Sequence, residues 1–262
     1  HIEETSEITN SSVEKSSILI VDDSDDVRLY LSGLLKSYYN ITEAKNGREG
    51  INLASENSPD LIISDIMMPE MDGIEFCKKI KTDFQTSHIP VILLTAKVSD
   101  KSKIEGLETG ADDYLTKPFN STELFIRIKN LLEQRRKLRE KFSKEINIQP
   151  NSITTNTVDN EFLKKAFDAS EKNLDNPDFD AEAFAKELFM SLSQLRRKLK
   201  AVTGQAPGEF LRTYKLKRAA QMILENRLSI TQISLEIGYN SPSHFTKAFR
   251  EQFNCLPSDF KG

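Results

Sequence analysis

The chain has 262 residues, with 36 Lys/Arg against 40 Asp/Glu and a formal net charge of −4. That length accommodates two ordinary domains, and a charged fraction of 29% with a mean hydropathy of −0.46 places it in the soluble globular class. No run approaches the ~20 apolar residues needed to span a bilayer, no signal-peptide pattern opens the chain, and two distant cysteines, Cys77 and Cys255, exclude a disulfide or zinc framework.

Residues 1–16 are rich in Ser, Thr and Glu and read as a flexible linker. The chain begins at His1 rather than Met, so a longer parent chain is expected. From residue 17 apolar runs alternate with helical patterns. Strands are expected at Ile18–Val21, Ile41–Glu43, Leu61–Ser64, Val91–Leu94 and Tyr114–Thr116, with helices near 25–38, 47–57, 73–83, 100–109 and from 121 onward. This βα alternation predicts a doubly wound, five-stranded parallel sheet over residues 17–133. The last helix overruns that unit: Leu124, Ile128, Leu131, Leu138 and Phe142 keep a 3–4 spacing, with Arg135 at the one polar position of the seam. It reads as a helix packed first on the sheet and then as a charged connector, with a short coiled coil as the alternative. Residues 134–158 are therefore extended helix and linker, the stretch 143–158 being extended because Pro150 disfavours helix. From Asp159 to Gly262 the pattern is almost all helical, with a core at 177–262.

In an open parallel sheet, ligands bind beyond the carboxyl ends of the strands. Those ends carry Asp22-Asp23, Asp65, Thr95-Ala96 and Lys117-Pro118. Three carboxylates in one pocket raise one another's pKa unless a cation neutralises them. Oxygen ligands without His or Cys favour a hard ion, Mg²⁺ foremost. Lys117 adds a point charge for an anion and Thr95 a hydroxyl, a set suited to moving a phosphoryl group onto a carboxylate. With Tyr114 and the run DIMMPEMDG added, residues 17–130 resemble a response-regulator receiver domain, of flavodoxin-like fold. The resemblance implies Asp65 as phosphoacceptor. It implies Mg²⁺ held by Asp22 or Asp23 with Asp65 and the Met67 backbone carbonyl. Lys117 would pair with phosphoryl oxygens, Thr95 would swing toward them, Tyr114 would turn inward behind, and small Ala96 would leave room. Pro69 and Gly73 read as loop-shaping residues, Asp25 and Asp26 as first-turn helix acids, and Asp112 and Asp113 as loop or surface acids.

The net charge hides an asymmetry. Residues 17–130 hold 13 Lys/Arg and 19 Asp/Glu, whereas residues 177–262 hold 13 and 9, so the second half is basic and points to a nucleic-acid partner. It contains an imperfect repeat: KELFMSLSQLRRKLK at 186–200 and LEIGYNSPSHFTKAFR at 235–250. Each copy reads as a helix end, a turn, a Ser N-cap (Ser191, Ser241) and a second amphipathic helix, a helix-turn-helix twice over. Leu195, Leu199, Phe245 and Phe249 form the apolar stripes. Polar faces carry Ser193, Gln194, Arg196, Arg197 and Lys200 in the first copy, and Ser243, His244, Thr246, Lys247 and Arg250 in the second. Such side chains suit both phosphate contacts and base edges. The segment resembles the DNA-binding domain of the AraC/XylS family, with Phe189 where that family usually has a turn glycine and Asn254 replacing another. The resemblance implies Ser193, Arg197, Ser243 and Lys247 as base readers and Arg196, Lys200 and Arg250 as phosphate contacts. His1, His88 and His244 share no metal-ligand spacing.

The expected function is a phosphorylation-controlled transcriptional regulator of a two-component system, with no enzymatic activity beyond Mg²⁺-dependent phosphorylation and dephosphorylation of Asp65. Its expected partners are double-stranded DNA at promoter sites, a histidine kinase phosphodonor, and a second copy joined through the receiver or the overrunning helix. No direct membrane contact by these residues is expected, and the location is cytoplasmic. Segments 1–16 and 146–179 also resemble those of hybrid two-component sensors; the kinase would then be fused in cis and the full-length protein anchored in the inner membrane. A free-standing soluble regulator is the alternative. Two further readings are a Mg²⁺-dependent phosphatase of small phosphoesters and a protein-docking module without DNA binding. The phosphatase reading lacks its usual second acid, since Met67 stands two residues after Asp65.

Overall fold

The computed structural model describes residues 15–96, 110–146, 154 and 156–261. Strands β1 (Ser17–Val21), β2 (Asn40–Ala44), β3 (Leu61–Asp65), β4 (Val91–Thr95) and β5 (Asp113–Thr116) pair in parallel in the order β2-β1-β3-β4-β5. Strand residues alternate between two apolar clusters because successive side chains point to opposite faces. Leu19, Val21, Ile62, Val91 and Leu93 pack with Phe76 and Ile80; Ile18, Ile20, Ile63, Ile92 and Leu94 pack with Leu31, Leu35, Leu124 and Ile128. The central strands β3 and β4 are buried at every position, as strands covered on both faces must be. The covering helices are α1 (Asp25–Leu35), α2 (Gly47–Asn57), α3 (Gly73–Thr82) and α4 (Ser121–Lys144). The helix expected near 100–109 lies outside the described residues.

The rest is helical: α5 (Thr157–Lys172), α6 (Ala181–Glu187), α7 (Leu192–Thr203), α8 (Pro207–Glu225), α9 (Ile230–Glu236) and α10 (Pro242–Phe253), then a short 3₁₀ turn at Pro257–Asp259. Helix α5 starts inside the stretch read as extended, because Asn156 accepts hydrogen bonds from the Val158 and Asp159 N–H groups and so caps it. The α6–α7 and α9–α10 pairs are the two copies of the repeat, and α8 joins them. Its Phe210 and Leu211 belong to the first core, its Leu216, Ala219 and Ala220 to the second.

The two turns share a backbone geometry but not a residue. Phe189 has φ 57° and its N–H reaches the Lys186 carbonyl at 3.0 Å; Gly238 has φ 72° and its N–H reaches Leu235 at 2.9 Å. A left-handed residue with a Cβ costs about 1–2 kcal/mol, and Phe189 is 98% exposed, so packing returns none of it. Asn254 is also left-handed, at φ 57°. Ser191 caps α7 with a full capping box through Gln194. Ser241 corrects the expectation for the second copy: it stands at the N-cap of α10, but its side chain makes no cap bond. Its φ of −139° and ψ of 120° differ from the −71° and 150° of Ser191, so the hydroxyl is not delivered to the same N–H groups.

Helix α4 serves both halves. Leu124 and Ile128 sit in the sheet core, whereas Phe142 is buried in the helical core and stacks on Phe210 at 5.3 Å. The seam that could have formed a coiled coil is thus turned inward along part of its length. Arg135 donates to the Asp60 carbonyl (3.2 Å) and the Ala201 carbonyl (3.1 Å), and Arg139 Nε reaches the same Ala201 oxygen at 2.9 Å. Burial, with the nearby Arg139 charge, lowers the Arg135 pKa to about 10.

Gly238 carries a geometric demand beyond its φ. A Cβ there would lie 2.8 Å from the Asp175 backbone. Gly238→Ala is expected to lower stability by about 1–3 kcal/mol, read as a lower urea midpoint with an unchanged denaturant slope.

Candidate functional sites

The strand ends bring the predicted acids together. Asp22 follows β1 directly, Asp65 closes β3, Thr95 closes β4 and Lys117 follows β5. Parallel register sets Asp65 beside Leu94 and Thr95 beside Thr116, so all four reach one edge. Carboxylate oxygens of Asp22, Asp23 and Asp65 lie within 4.8 Å of one another. Lys117 Nζ lies 2.9 Å from Asp65 and 3.2 Å from Asp22. Asp22 is 1% exposed and also accepts the Ser24 N–H at 2.9 Å.

The electrostatics leave room for a cation. Burial raises the Asp22 pKa, and the Asp65 charge adds to it; the Ser24 N–H and Lys117 only partly oppose this. For Lys117, burial works against the charge, but the Asp65 hydrogen bond and the charges of Asp22 and Asp65 outweigh it and raise the pKa. One ammonium faces three carboxylates, a net negative cluster with oxygen ligands alone. That donor set fits Mg²⁺ rather than a softer metal.

The remaining predicted residues of this edge fall around it. Thr95 is buried and Ala96 exposed; Tyr114 is half-buried against the cluster of Leu19, Phe76 and Leu93; the Met67 side chain is 72% exposed. Asp25 and Asp26 are first-turn acids of α1, and Asp25 pairs with Arg28. Asp112 is less bland than a solvated loop acid. It accepts from Lys81 Nζ at 2.5 Å and the Val91 N–H at 2.7 Å, tying α3 to β4. Gly73 is also more than loop-shaping: a Cβ there would lie 2.0 Å from the Asp65 carbonyl oxygen. The helix α3 can approach the end of β3 this closely only with glycine, which the flanking DIMMPEMDG run hinted at but did not specify.

In the helical half, Ser193, Arg196, Arg197 and Lys200 are exposed on α7. Gln194 is half-buried, its side-chain oxygen engaged by the Ser191 N–H at 3.0 Å. On α10, Ser243, His244, Lys247 and Arg250 are exposed, whereas the Thr246 hydroxyl donates to the Pro242 carbonyl of its own helix at 2.9 Å. The stripes Leu195/Leu199 and Phe245/Phe249 are fully buried. Sequence reading missed Lys198. It sits on the buried side of α7, 2% exposed, ion-paired to Asp159 and hydrogen-bonded to Ser87 Oγ at 2.7 Å. Its spacing of three from Leu195 placed it on the apolar stripe, and a lysine there requires a buried acid. His88 lies at the same junction. Burial, with Arg135, Lys198, Arg139 and Lys81 nearby, holds its pKa well below the usual value.

A parallel sheet with an acidic cluster at its strand ends, followed by paired helix-turn-helix units, defines a two-component regulator architecture. Residues 18–129 match the response regulator receiver domain and residues 184–262 a helix-turn-helix domain of the AraC type. A receiver domain at 18–129 is thus followed by a helix-turn-helix domain at 184–262. It is 50% identical over 248 residues to Histidine kinase P4 of Formosa agariphila, covering 95% of this chain and 18% of that protein. It is 46% identical over 118 residues to the transcriptional regulatory protein SrrA of Staphylococcus aureus, covering 45% of this chain and 48% of that one. The receiver domain of a signal transduction histidine kinase from Syntrophus aciditrophicus is 41% identical, covers 45% of this chain and 91% of that chain, and aligns with a TM-score of 0.43. The chain thus spans less than half the length of these two curated relatives. No helix among the described residues is long and apolar enough to cross a membrane.

The raised Asp22 pKa sets a pH dependence. A metal ligand must be ionised, so Mg²⁺ affinity is expected to fall as the pH drops while still above 3.8, the ordinary Asp value. Titration calorimetry at successive pH values reads this, and Asp22→Asn should weaken binding and flatten the dependence.

Proposed function

We propose that the chain is a phosphorylation-controlled transcriptional regulator, in which Asp65 accepts a phosphoryl group and α7 and α10 read DNA. The observation that carries the reading is the meeting of Lys117 with Asp65 and Asp22 at one sheet edge, on a chain that also presents two polar, basic helix faces. A carboxylate oxygen of Asp65 attacks the phosphorus of a phosphohistidine; the P–N bond breaks, a P–O bond forms, and the imidazole leaves. Lys117 stands where it can pair with the transferred oxygens. Asp22, Asp23, Asp65 and the Met67 carbonyl would hold Mg²⁺, which when bound would neutralise charge during transfer. The added group carries about −1.5 to −2 charge, enough to draw the Thr95 hydroxyl toward it and let Tyr114 turn inward behind, while exposed Ala96 leaves the space open.

The regulator itself is not an enzyme beyond turnover of its own phosphoaspartate. Its division is 1–16 linker, 17–133 receiver, 134–158 helix and linker, and 159–262 DNA-binding domain with a core at 177–262. One copy places two helices in successive major-groove turns, ~34 Å apart, and pairing of two copies doubles the site. The match of 95% of the chain to 18% of a protein named as a histidine kinase supports a place within a hybrid sensor, with the phosphodonor in cis. The phosphatase reading is disfavoured by exposed Met67 at the position where such enzymes carry their second acid.

DNA capture from sheared genomic DNA tests the reading. Mg²⁺/phosphodonor-treated protein is expected to enrich a few loci about 5- to 150-fold better than Asp65→Asn treated alike, the range of a coupling of ~1–3 kcal/mol. Equal enrichment by both proteins would remove phosphoryl control and leave DNA binding. No enrichment by either would remove DNA reading.

Within the captured sites, Lys247→Ala should cost about 1–3 kcal/mol and relax preference at one position, whereas Lys200→Ala should weaken all duplexes alike and lower the salt slope by about 1. Fluorescence anisotropy across a salt series separates the two. A flat salt dependence for the unsubstituted protein would favour protein docking instead.

A further inference from the structure

The proposed reading face of α7 does not stand free of the receiver. Arg197 Nη1 donates to the Ser55 carbonyl near the end of α2, at 3.2 Å. Ser193, Arg197 and Lys200 lie four and three residues apart, on one face, and span about 10 Å along the axis. Arg197 is the middle of that stripe. A major groove is about 12 Å wide, so a duplex seated on the stripe needs the space that the end of α2 occupies. One Nη of the guanidinium that would fork to a base edge is committed to Ser55.

The opposite side of α7 is held as well. Lys198 Nζ bonds Ser87 Oγ at 2.7 Å, Ser87 donates to Asp159 at 2.7 Å, and Phe84 of the same receiver turn packs edge-on to Phe162 with ring centroids 5.5 Å apart. Lys198 Nζ also lies 4.9 Å from the Phe84 ring centroid. At the far end of α7, Arg135 and Arg139 take the Ala201 carbonyl. Ser55, Phe84 and Ser87 of the receiver, with Arg135 and Arg139 of α4, therefore grip one helix. Among the described hydrogen bonds and ion pairs, α10 touches α4 only at its far end, where Gln252 donates to the Ser143 carbonyl at 3.1 Å, and its proposed reading face touches no receiver residue.

From these contacts we infer that the surface made by the end of α2 and the Phe84–Ser87 turn of the receiver, together with the second half of α4 that leaves it, is a docking site for α7. While docked it blocks the first helix-turn-helix and leaves the second accessible. The inference rests on the DNA-reading assignment above and adds its control: the two copies of the repeat are unequal, and only the first is masked.

The test is the double variant Ser55→Arg/Ser87→Ala in the full chain. Ser55→Arg sets a cation against Arg197; Ser87→Ala removes the receiver's bond but leaves the Lys198–Asp159 pair whole. Neither residue is a proposed DNA contact or a strand-end acid. Hydrogen exchange at α7 reads docking, and binding of a randomised duplex pool without phosphodonor reads access. Faster exchange at α7 together with severalfold tighter duplex binding is the expected result. Faster exchange with unchanged or weaker binding would overturn the masking role. Unchanged exchange in both single variants and the double would overturn docking itself. If exchange rises but no form binds any duplex, with or without phosphodonor, masking falls with the DNA-reading assignment, and the exchange data show which of the two failed.

Discussion

The arrangement depends on one helix belonging to two cores. α4 enters the sheet layer with Leu124 and Ile128 and ends in the helical layer with Phe142. At 24 residues it is about 36 Å long, longer than the sheet requires. Its middle therefore crosses the junction, and there it carries Arg135 and Arg139 rather than leucines. Both guanidiniums end on main-chain carbonyls, Asp60 on one side and Ala201 on the other. A guanidinium is suited to this because its planar fork satisfies two acceptors at once. The halves are joined by backbone acceptors that no side-chain substitution removes.

Charge is handled oppositely at two places. At the strand ends, three carboxylates face one ammonium, and the imbalance is what makes the cluster competent to hold a cation. Lys198 and Asp159 form a balanced pair, 2% exposed each, with Ser87 bonded to both. Burial lowers the Lys198 pKa, and Asp159 opposes the shift. A buried pair of this kind contributes little net stability, but losing one partner strands a charge at a cost of about 3–5 kcal/mol. It therefore favours one docking geometry over others more than it strengthens the fold.

Much of the architecture was legible because it rests on local periodicity. Unbroken apolar runs such as Ile18–Val21 and Val91–Leu94, alternating with helical patterns, gave the sheet, and the strand-end rule then gathered Asp22, Asp65, Thr95 and Lys117 from far apart in the chain. The repeat gave both helix pairs through the positions of Leu195, Leu199, Phe245 and Phe249. What escaped the sequence depends on three-dimensional approach. Gly73 looked like any loop glycine until its Cβ position met the Asp65 carbonyl. Lys198 looked like one more basic residue in RRKLK, although its spacing from Leu195 set it on the buried side. Arg135, placed at a seam, proved to bond carbonyls from both halves. Ser241 had the right residue type for a cap but not the backbone angles that aim its hydroxyl.

Phe189 shows how far a repeat can diverge while its geometry holds. Gly238 takes a left-handed φ without steric cost, and its close approach to Asp175 forbids a side chain. Phe189 takes nearly the same φ with a ring 98% exposed. The first turn can carry that ring because nothing packs over it, whereas the second lies against backbone. Strain of this size is retained when the surroundings over-determine the conformation. Here the helices on either side are fixed: α6 through buried Phe184 and α7 through Leu195, Leu199 and its capping box. The first helix-turn-helix is thus held by its neighbours rather than by its turn residue, and its most tightly held neighbour-facing helix is the one that the receiver also grips.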